Sequence, residues 1–427
     1  MDTIFALATA RGRAGIAVIR ISGPAAFDAA RGLCGSLPNA GSHRVRQLRD
    51  SDGALIDEAL VLVFESPRSF TGEDIVEFHV HGSMAVVAAV ERYLASHAAL
   101  RPAEAGEFTQ RALMNTRLDL AQVEGLGDLL SSETEMQRKV AMRLFQGRLG
   151  DMAAEWHRVL LRTVALLEAT IDFADEEIPQ DVMPEVLRGL EDILEQLRKE
   201  TEGSFVAERL RDGFEVAIVG PPNAGKSTLL NHIAGREVAI TSEIEGTTRD
   251  VLEVRTDLKG LPVTFLDTAG LRETKDQIER IGVLRSRERA AGADLRVFLK
   301  RSPEDAIDGL EQVDDFAIVG KADVDPAGDF SGLTGAGVDV LLERIHAVLE
   351  KRVQDVGTAT HRRHRFSMER AIGALELAMT SIEARRDSPE LAAEHLRHAI
   401  TSLDSLTGRI DVEAVLGEIF SAFCIGK

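Results

Sequence analysis

The run Gly220-Pro221-Pro222-Asn223-Ala224-Gly225-Lys226-Ser227 constrains this chain more than any other stretch. Val216-Ala217-Ile218-Val219 before it reads as a buried strand, and Thr228-Leu229-Leu230-Asn231 after it reads as the start of a helix. Strand, glycine-bearing loop, Lys-Ser and helix form the context that a phosphate-binding loop needs. The glycines let backbone N–H groups close around phosphate oxygens, and the helix N-terminus adds partial positive charge. Lys226 can reach the terminal phosphates, and the Ser227 hydroxyl can ligate Mg²⁺. The plain alternative is a glycine turn before an ordinary helix. The presence of every fixed position, in order, argues against it.

Composition narrows the class. A chain of 427 residues suggests about two to four domains. Hydrophobic residues at 44% and charged residues at 28% describe an ordinary globular chain. The net charge of −20 argues against a surface that coats nucleic acid non-specifically. It leaves room for a local basic patch or a basic partner. Two cysteines, Cys34 and Cys424, do not make a disulfide framework, which fits a reducing cytoplasm. The N-terminus Met1-Asp2-Thr3-Ile4 lacks the pattern of a secretory signal, and no apolar run is long enough to span a bilayer. With aromatics at 4%, stacking on bases is not a general strategy.

Patterning divides the chain into blocks. Residues 1–115 mix strands and helices as an α+β domain. Gly15 to Gly23, Ala59 to Phe64 and Asp74 to Val80 read as strands, and Met84 to Ala95 as a helix. Residues 116–210 turn to long amphipathic helices. Trp156, Val159, Leu160, Val164, Leu167 and Ile171 recur at helical spacing; after Pro179 and Pro184 so do Leu187, Leu190, Ile193, Leu194 and Leu197. Residues 211–352 alternate strand and helix, the pattern of a doubly wound nucleotide-binding domain. Residues 353–427 are helical again, with stripes at Ile372, Leu375, Leu377 and Ile382 and at Leu391, Leu396, Ile400, Leu403 and Leu406. The expected fold is multidomain α/β, with the nucleotide-binding domain inserted into a helical domain.

Three further elements favour GTP over ATP. Gly246-Thr247-Thr248-Arg249-Asp250 lies in a polar loop, where a threonine can ligate Mg²⁺ when the γ-phosphate is present and release it afterwards. Val263-Thr264-Phe265-Leu266 reads as a strand ending in Asp267-Thr268-Ala269-Gly270; Asp267 would hold Mg²⁺ through its water shell, and the Gly270 N–H would meet the γ-phosphate. Phe316-Ala317-Ile318-Val319 leads into Gly320-Lys321-Ala322-Asp323, whose aspartate can accept both hydrogens of the guanine ring edge. Ser331-Gly332-Leu333 supplies a backbone rim over the base. Each element alone means little; their order, each at a strand end, is specific. Gly320 departs from the usual Asn-Lys-x-Asp. Its change removes one or two hydrogen bonds, roughly 1–3 kcal/mol. Weaker affinity and selectivity are expected, with Asp323 preserving the guanine preference.

Hydrolysis cannot follow the route in which a Gln after Asp-x-x-Gly orients water, because Leu271 stands there. The segment Arg272 to Arg280 is rich in polar substitutes, and spacing does not choose among them. Asn223 offers an amide oxygen for a monovalent cation beside the phosphates, where K⁺ would supply charge that an arginine otherwise delivers. Shaping the loop is the equal alternative.

These residues, with the two ends of the chain, resemble the MnmE (TrmE) family of tRNA-modification GTPases along essentially the whole length. Arg20-Ile21-Ser22-Gly23, Phe70-Thr71-Gly72-Glu73-Asp74 and Leu118-Asp119-Leu120-Ala121-Gln122 resemble its folate-binding domain and the way into its helical domain. Ala169 to Phe173 with Asp175-Glu176-Glu177-Ile178 resembles its central helices, and Phe423-Cys424-Ile425-Gly426-Lys427 its C-terminal signature. The resemblance implies a folate-binding-like N-terminal domain and a homodimer formed through it. It implies a cytoplasmic enzyme that works with the FAD-dependent partner MnmG (GidA). Together they add an aminomethyl or carboxymethylaminomethyl group at carbon 5 of the tRNA wobble uridine. The carbon comes from 5-formyl- or methylene-tetrahydrofolate. It places Arg20, Glu77, Arg117 and Lys427 at folate contacts, Arg117 standing where the family often has Lys. It implies Asn223, Ser242, Ile244 and Thr247 as K⁺ ligands, Ser227 and Thr248 as Mg²⁺ ligands, and Glu279 as the residue that positions water. The GTP contacts would be Asn223, Ala224, Gly225, Lys226, Ser227, Thr228, Thr247, Thr248, Asp267, Thr268, Ala269, Gly270, Lys321, Asp323, Ser331, Gly332 and Leu333.

Cys424 reads from spacing as a small buried hydrophobe; the resemblance makes it catalytic, with Lys427 the nearest charge to favour a thiolate. His361-Arg362-Arg363-His364-Arg365 with Arg370 is the densest basic cluster, either a solvated helix start or a contact to tRNA phosphates. Two other functions compete. A regulatory or ribosome-assembly GTPase shares the nucleotide motifs but typically adds an RNA-binding domain and lacks the terminal Cys-Ile-Gly-Lys. A folate-binding scaffold with a weakened switch is the other.

Overall fold

A computed structural model of the chain describes residues 2–172, 183–236, 253–267, 287–305, 311–354, 356–383, 389–409, 416–417, 419–420, 423 and 425–426. The chain divides into two compact units. One holds residues 1–127, 150–157 and 403–427, and the other holds 128–149 and 158–402.

The first unit is built on a six-stranded sheet, β1 (Thr3–Leu7), β2 (Ile16–Ser22), β3 (His43–Arg49), β4 (Leu55–Phe64), β5 (Ile75–His81) and β6 (Leu100–Pro102), in the order β3-β4-β5-β2-β1-β6. Its strands pair antiparallel except β1 with β6. Because side chains alternate along a strand, Phe5, Ile19, Ile21, Val61, Val76 and Phe78 turn to one face. There they pack with α1 (Ala26–Cys34) and α2 (Met84–Ala95). Helix α2 buries Val87, Val90 and Leu94, three or four residues apart. Each such burial is worth about 1.5–3 kcal/mol. Helices α3 (Glu107–Met114) and α4 (Leu120–Ser131) follow. The C-terminal residues run back along this unit. Ile425 forms a strand bridge with Ala105, Phe423 meets Gly127, and Gly426 at φ +102° packs on the Leu7 carbonyl with no room for a side chain.

In the second unit, α5 (Glu135–Phe145), α6 (Arg148–Asp172, shared with the first) and α7 (Met183–Asp212) lead into a five-stranded sheet. Its strands are β7 (Phe214–Val219), β8 (Glu253–Leu258), β9 (Leu261–Asp267), β10 (Leu295–Lys300) and β11 (Phe316–Val319), in the order β11-β10-β7-β9-β8. All pairs are parallel except β8 with β9. Strand β7 is buried along nearly its whole length, as central parallel strands are. Helix α8 (Lys226–Ala234) follows β7, and α9 (Val338–Arg352) completes this α/β part. Helices α10 (Arg362–Glu383) and α11 (Pro389–Thr407) follow. Among the described residues, no helix is long and apolar enough to cross a membrane.

Two of the expected stripes are corrected. Leu377 is 55% exposed while Leu375 is buried, because residues two apart lie on opposite sides of a helix. The buried face of α10 is Met368, Ala371, Leu375 and Ala378. Leu391 also lies off its helix's buried face, which runs through Ala392, Leu396, Ala399, Leu403 and Leu406. The basic cluster is split, with Arg362 and Arg370 exposed and the others wholly or partly covered. His364 is buried, Arg365 pairs with Glu208 and lies 4.2 Å from the Phe205 ring centre, and His361 contacts Arg211 and Asp128.

Candidate nucleotide site and N-terminal charge cluster

The phosphate loop leaves β7 at Gly220, whose Cβ, were there one, would collide with the Leu299 carbonyl of β10. Asn223 takes φ +61° and Gly225 φ +100°, left-handed conformations that turn the loop back to the start of α8. Lys226 is buried, and its amino group donates to the carbonyls of Gly220 at 2.9 Å and Pro221 at 3.1 Å. Burial pulls the Lys226 pKa below the usual lysine value, against the nearby Asp267 charge that raises it. An anion seated in the loop would offset that cost.

Ser227 Oγ donates to Asp267 Oδ2 at 2.9 Å, joining the first turn of α8 to the end of β9. Asp267 is buried, and its Oδ1 has no hydrogen-bond partner among the described residues. A buried carboxylate oxygen without a donor is costly. A hard cation with its water shell is the partner this donor set fits. The Asn223 side chain is exposed and makes no hydrogen bond among the described residues, so its amide oxygen is available.

The base side is formed by two loops. Asp323 is exposed and accepts no hydrogen bond from the described residues, and Lys321 takes φ +67°. Ser331 is buried with its Oγ accepting from Thr334 N–H at 3.2 Å; Leu333 beside it is 75% exposed. Ala224 is buried, whereas Thr228 is exposed. Thr247, Thr248, Ser242, Ile244, Thr268, Ala269, Gly270, Leu271 and Glu279 lie outside the described residues, as do Cys424 and Lys427.

In the N-terminal domain the register opposes Arg20 on β2 to Glu77 on β5, and Arg20 Nε donates to Glu77 Oε1 at 2.8 Å. The Arg20 guanidinium carbon is 5.5 Å from the Phe70 ring centre and 5.6 Å from that of Phe108. His79 adds a contact to Glu77 at 3.4 Å. Arg117 is exposed and its side chain lies beside Gly72, two residues from Phe70. The loop around Phe70–Gly72 thus touches both arginines.

Sequence reasoning missed the charge network behind this site. Buried Arg111 donates to Asp2, Glu73 and Glu107, and Glu107 also receives Arg101. Burial lowers the Arg111 pKa less than Glu107 and Glu73 raise it, so it stays charged. Ser22 joins through Thr71 and Glu73. The four-residue spacing of Glu107 and Arg111 was the available signal.

The sequence matches known families over nearly its whole length. Residues 3–117 match the N-terminal family of the GTP-binding protein TrmE, and residues 120–424 match the MnmE helical domain. The tRNA modification GTPase MnmE of Roseobacter denitrificans is 56% identical over 433 residues, with 100% of each chain covered. That of Jannaschia sp. is 56% identical over 427 residues and that of Paracoccus denitrificans 48% over 437, both again covering 100% of each chain. Among solved structures, Aquifex aeolicus Era bound to GDP·AlF4⁻ is 26% identical, covers 38% of this chain and 67% of that chain, and has a TM-score of 0.25, too low to bear on the fold.

Fold and site define a multidomain GTPase, with a phosphate-loop α/β part between helical segments and an α+β N-terminal domain. The chain belongs to the MnmE (TrmE) family of tRNA modification GTPases.

Proposed function

We propose that this GTPase serves tRNA modification as a K⁺-activated enzyme. With an FAD-dependent MnmG-type partner, it drives addition of an aminomethyl or carboxymethylaminomethyl group at carbon 5 of the wobble uridine. The observation that supports it most is the Ser227–Asp267 pair with its unpartnered Oδ1, set beside a buried lysine on the phosphate loop. Lys226 binds the terminal phosphates, and the loop N–H groups of Asn223 to Thr228 surround them. Ser227 and Thr248 would ligate Mg²⁺, with Asp267 behind its water shell; the ion supplies charge neutralisation on the phosphates. Asn223, Ser242, Ile244 and Thr247 would hold K⁺, and Glu279 would orient water. Thr268, Ala269 and Gly270 would face the γ-phosphate, while Lys321, Asp323 and Ser331-Gly332-Leu333 would hold guanine.

The N-terminal domain, residues 1–115, would bind 5-formyl- or methylene-tetrahydrofolate through Arg20, Glu77, Arg117 and Lys427, and Cys424 would be a catalytic residue. The helical domain would comprise 116–210 and 353–427 around a G domain at 211–352. Homodimerisation through the N-terminal domains and a cytoplasmic location complete the reading.

Hydrolysis measured in KCl and in NaCl of equal ionic strength tests it. A rate several-fold higher in K⁺ is expected, and equal rates in the two salts would remove Asn223 as a cation ligand.

A further inference from the structure

Gly320, at the end of β11, occupies the position where guanine-nucleotide sites usually carry asparagine. It is buried, and a Cβ added there would stand 2.8 Å from the Ala224 carbonyl oxygen of the phosphate loop. That distance is shorter than side chains tolerate, and the obstacle is backbone, so a side chain at 320 must displace the phosphate loop itself. The loop beyond is tied down at its far end. Asp329 N–H donates to the Val319 carbonyl at 2.7 Å, and Val319 N–H donates to Asp329 Oδ2 at 2.7 Å. Inside this clasp Ala322 N–H donates to the Phe330 carbonyl at 3.0 Å, and Gly328 has no room for a Cβ, which would stand 2.6 Å from Ala322 N. Phe330 is buried beneath Gly320. The second base loop makes a matching approach, since a Cβ on Gly332 would lie 2.8 Å from Leu229 N at the start of α8.

We propose that backbone apposition of Gly320 on Ala224 replaces the asparagine brace, and that Asp329 is the positioning residue that presents the Asp323 carboxylate to the base. The proposal rests on the guanine-site reading above. Asp323 lies within the clasped loop and has no partner among the described residues, so its orientation depends on the backbone that carries it. A close-packed interior transmits strain, so a shift of the backbone at Gly320 is passed to the Ala224 carbonyl it faces.

The test uses the full chain, a fluorescent GDP probe displaced by GDP or ADP, and steady-state GTP hydrolysis. Gly320→Asn and Gly320→Ala are each expected to weaken GDP binding about tenfold, although the first restores the usual motif. Asp329→Ala is expected to reduce the GDP-over-ADP preference about tenfold and to raise KM, with kcat at saturating GTP within about twofold of the parent. Asp329→Asn keeps an oxygen for Val319 N–H and is expected to retain the preference. A Gly320→Asn chain that binds GDP as tightly as the parent, or tighter, overturns the brace. An Asp329→Ala chain with unchanged preference overturns the positioning role. Should the parent bind GDP and ADP alike, the guanine reading falls instead. The brace is then judged on Gly320→Asn, where weakened binding of both nucleotides supports it and unchanged binding overturns it.

Discussion

Ser227 Oγ donates to Asp267 Oδ2 at 2.9 Å, while the other oxygen of the same carboxylate is buried with no hydrogen-bond partner among the described residues. Half of this carboxylate is therefore satisfied by the protein and half is left for a ligand. Asp267→Asn places an amide there and removes the charge that holds a hydrated cation. Its expected result is loss of magnesium-dependent retention of GDP, with thermal stability of the nucleotide-free chain kept or raised. Dissociation of a fluorescent GDP with and without chelator reads this. Faster release on chelation in the parent, but not in the variant, is the expected pattern.

Lys226 donates its amino group to two loop carbonyls, at 2.9 and 3.1 Å. A charge-assisted bond to phosphate is worth up to about 3 kcal/mol, or about a hundredfold in affinity. Lys226→Ala is expected to lose between about tenfold and about a hundredfold in GTP affinity in equilibrium titration. A loss below tenfold, roughly 1.4 kcal/mol, would separate the lysine from the phosphates.

Glu200 on α7 accepts from the N–H groups of Thr358 and Ala359 through one oxygen. Burial raises its pKa above the ordinary carboxylate value against those two donors. The folded chain therefore holds this proton more tightly than the unfolded chain. Stability falls as pH rises from the ordinary glutamate value through the raised one. Glu200→Gln keeps the accepting oxygen and removes the charge. Its expected effect at neutral pH is equal or greater stability, with the advantage vanishing in acid. Glu200→Ala orphans both donors and is expected to cost about 1–3 kcal/mol at either pH. Thermal unfolding of the two variants at neutral and acid pH separates these outcomes; equal damage from both would contradict the account.

Arg20 is paired with Glu77 and lies near the rings of Phe70 and Phe108. A lysine keeps the charge and loses the planar fork and the ring contacts. Arg20→Lys is therefore expected to weaken 5-formyl-tetrahydrofolate binding about tenfold by calorimetry. Unchanged affinity would place the folate elsewhere.

How legible the molecule was in its sequence depended on the distance between partners. The phosphate loop was readable because strand, turn and helix are adjacent, so Gly220 to Ser227 carry their own context. The strand ends at Asp267 and Val319 were readable for the same reason. Arg20 and Glu77 were assigned to one site only by the resemblance, and their pairing was not legible, since nothing local says that β2 lies beside β5. Arg296 was invisible. It is fully buried, bonded to Asp315, to Gln312 and to the carbonyls of Ala290, Ala291 and Ala293, yet looks in sequence like any arginine in a strand. The Glu200 clasp joins residues on either side of the whole α/β part and has no local signature. Leu377 and Leu391 misled because hydrophobicity marks a helix but not which apolar side chains lie on its inner face. Asp329 passed unnoticed because its work is done on a backbone N–H.

The most direct test of the account is nucleoside analysis of tRNA from cells lacking this chain, complemented with the parent or with Lys226→Ala. The account expects loss of the carbon-5 aminomethyl-type group from wobble uridines, restored by the parent and not by the variant. Unchanged wobble uridines in the deletion strain, or full restoration by Lys226→Ala, would contradict it.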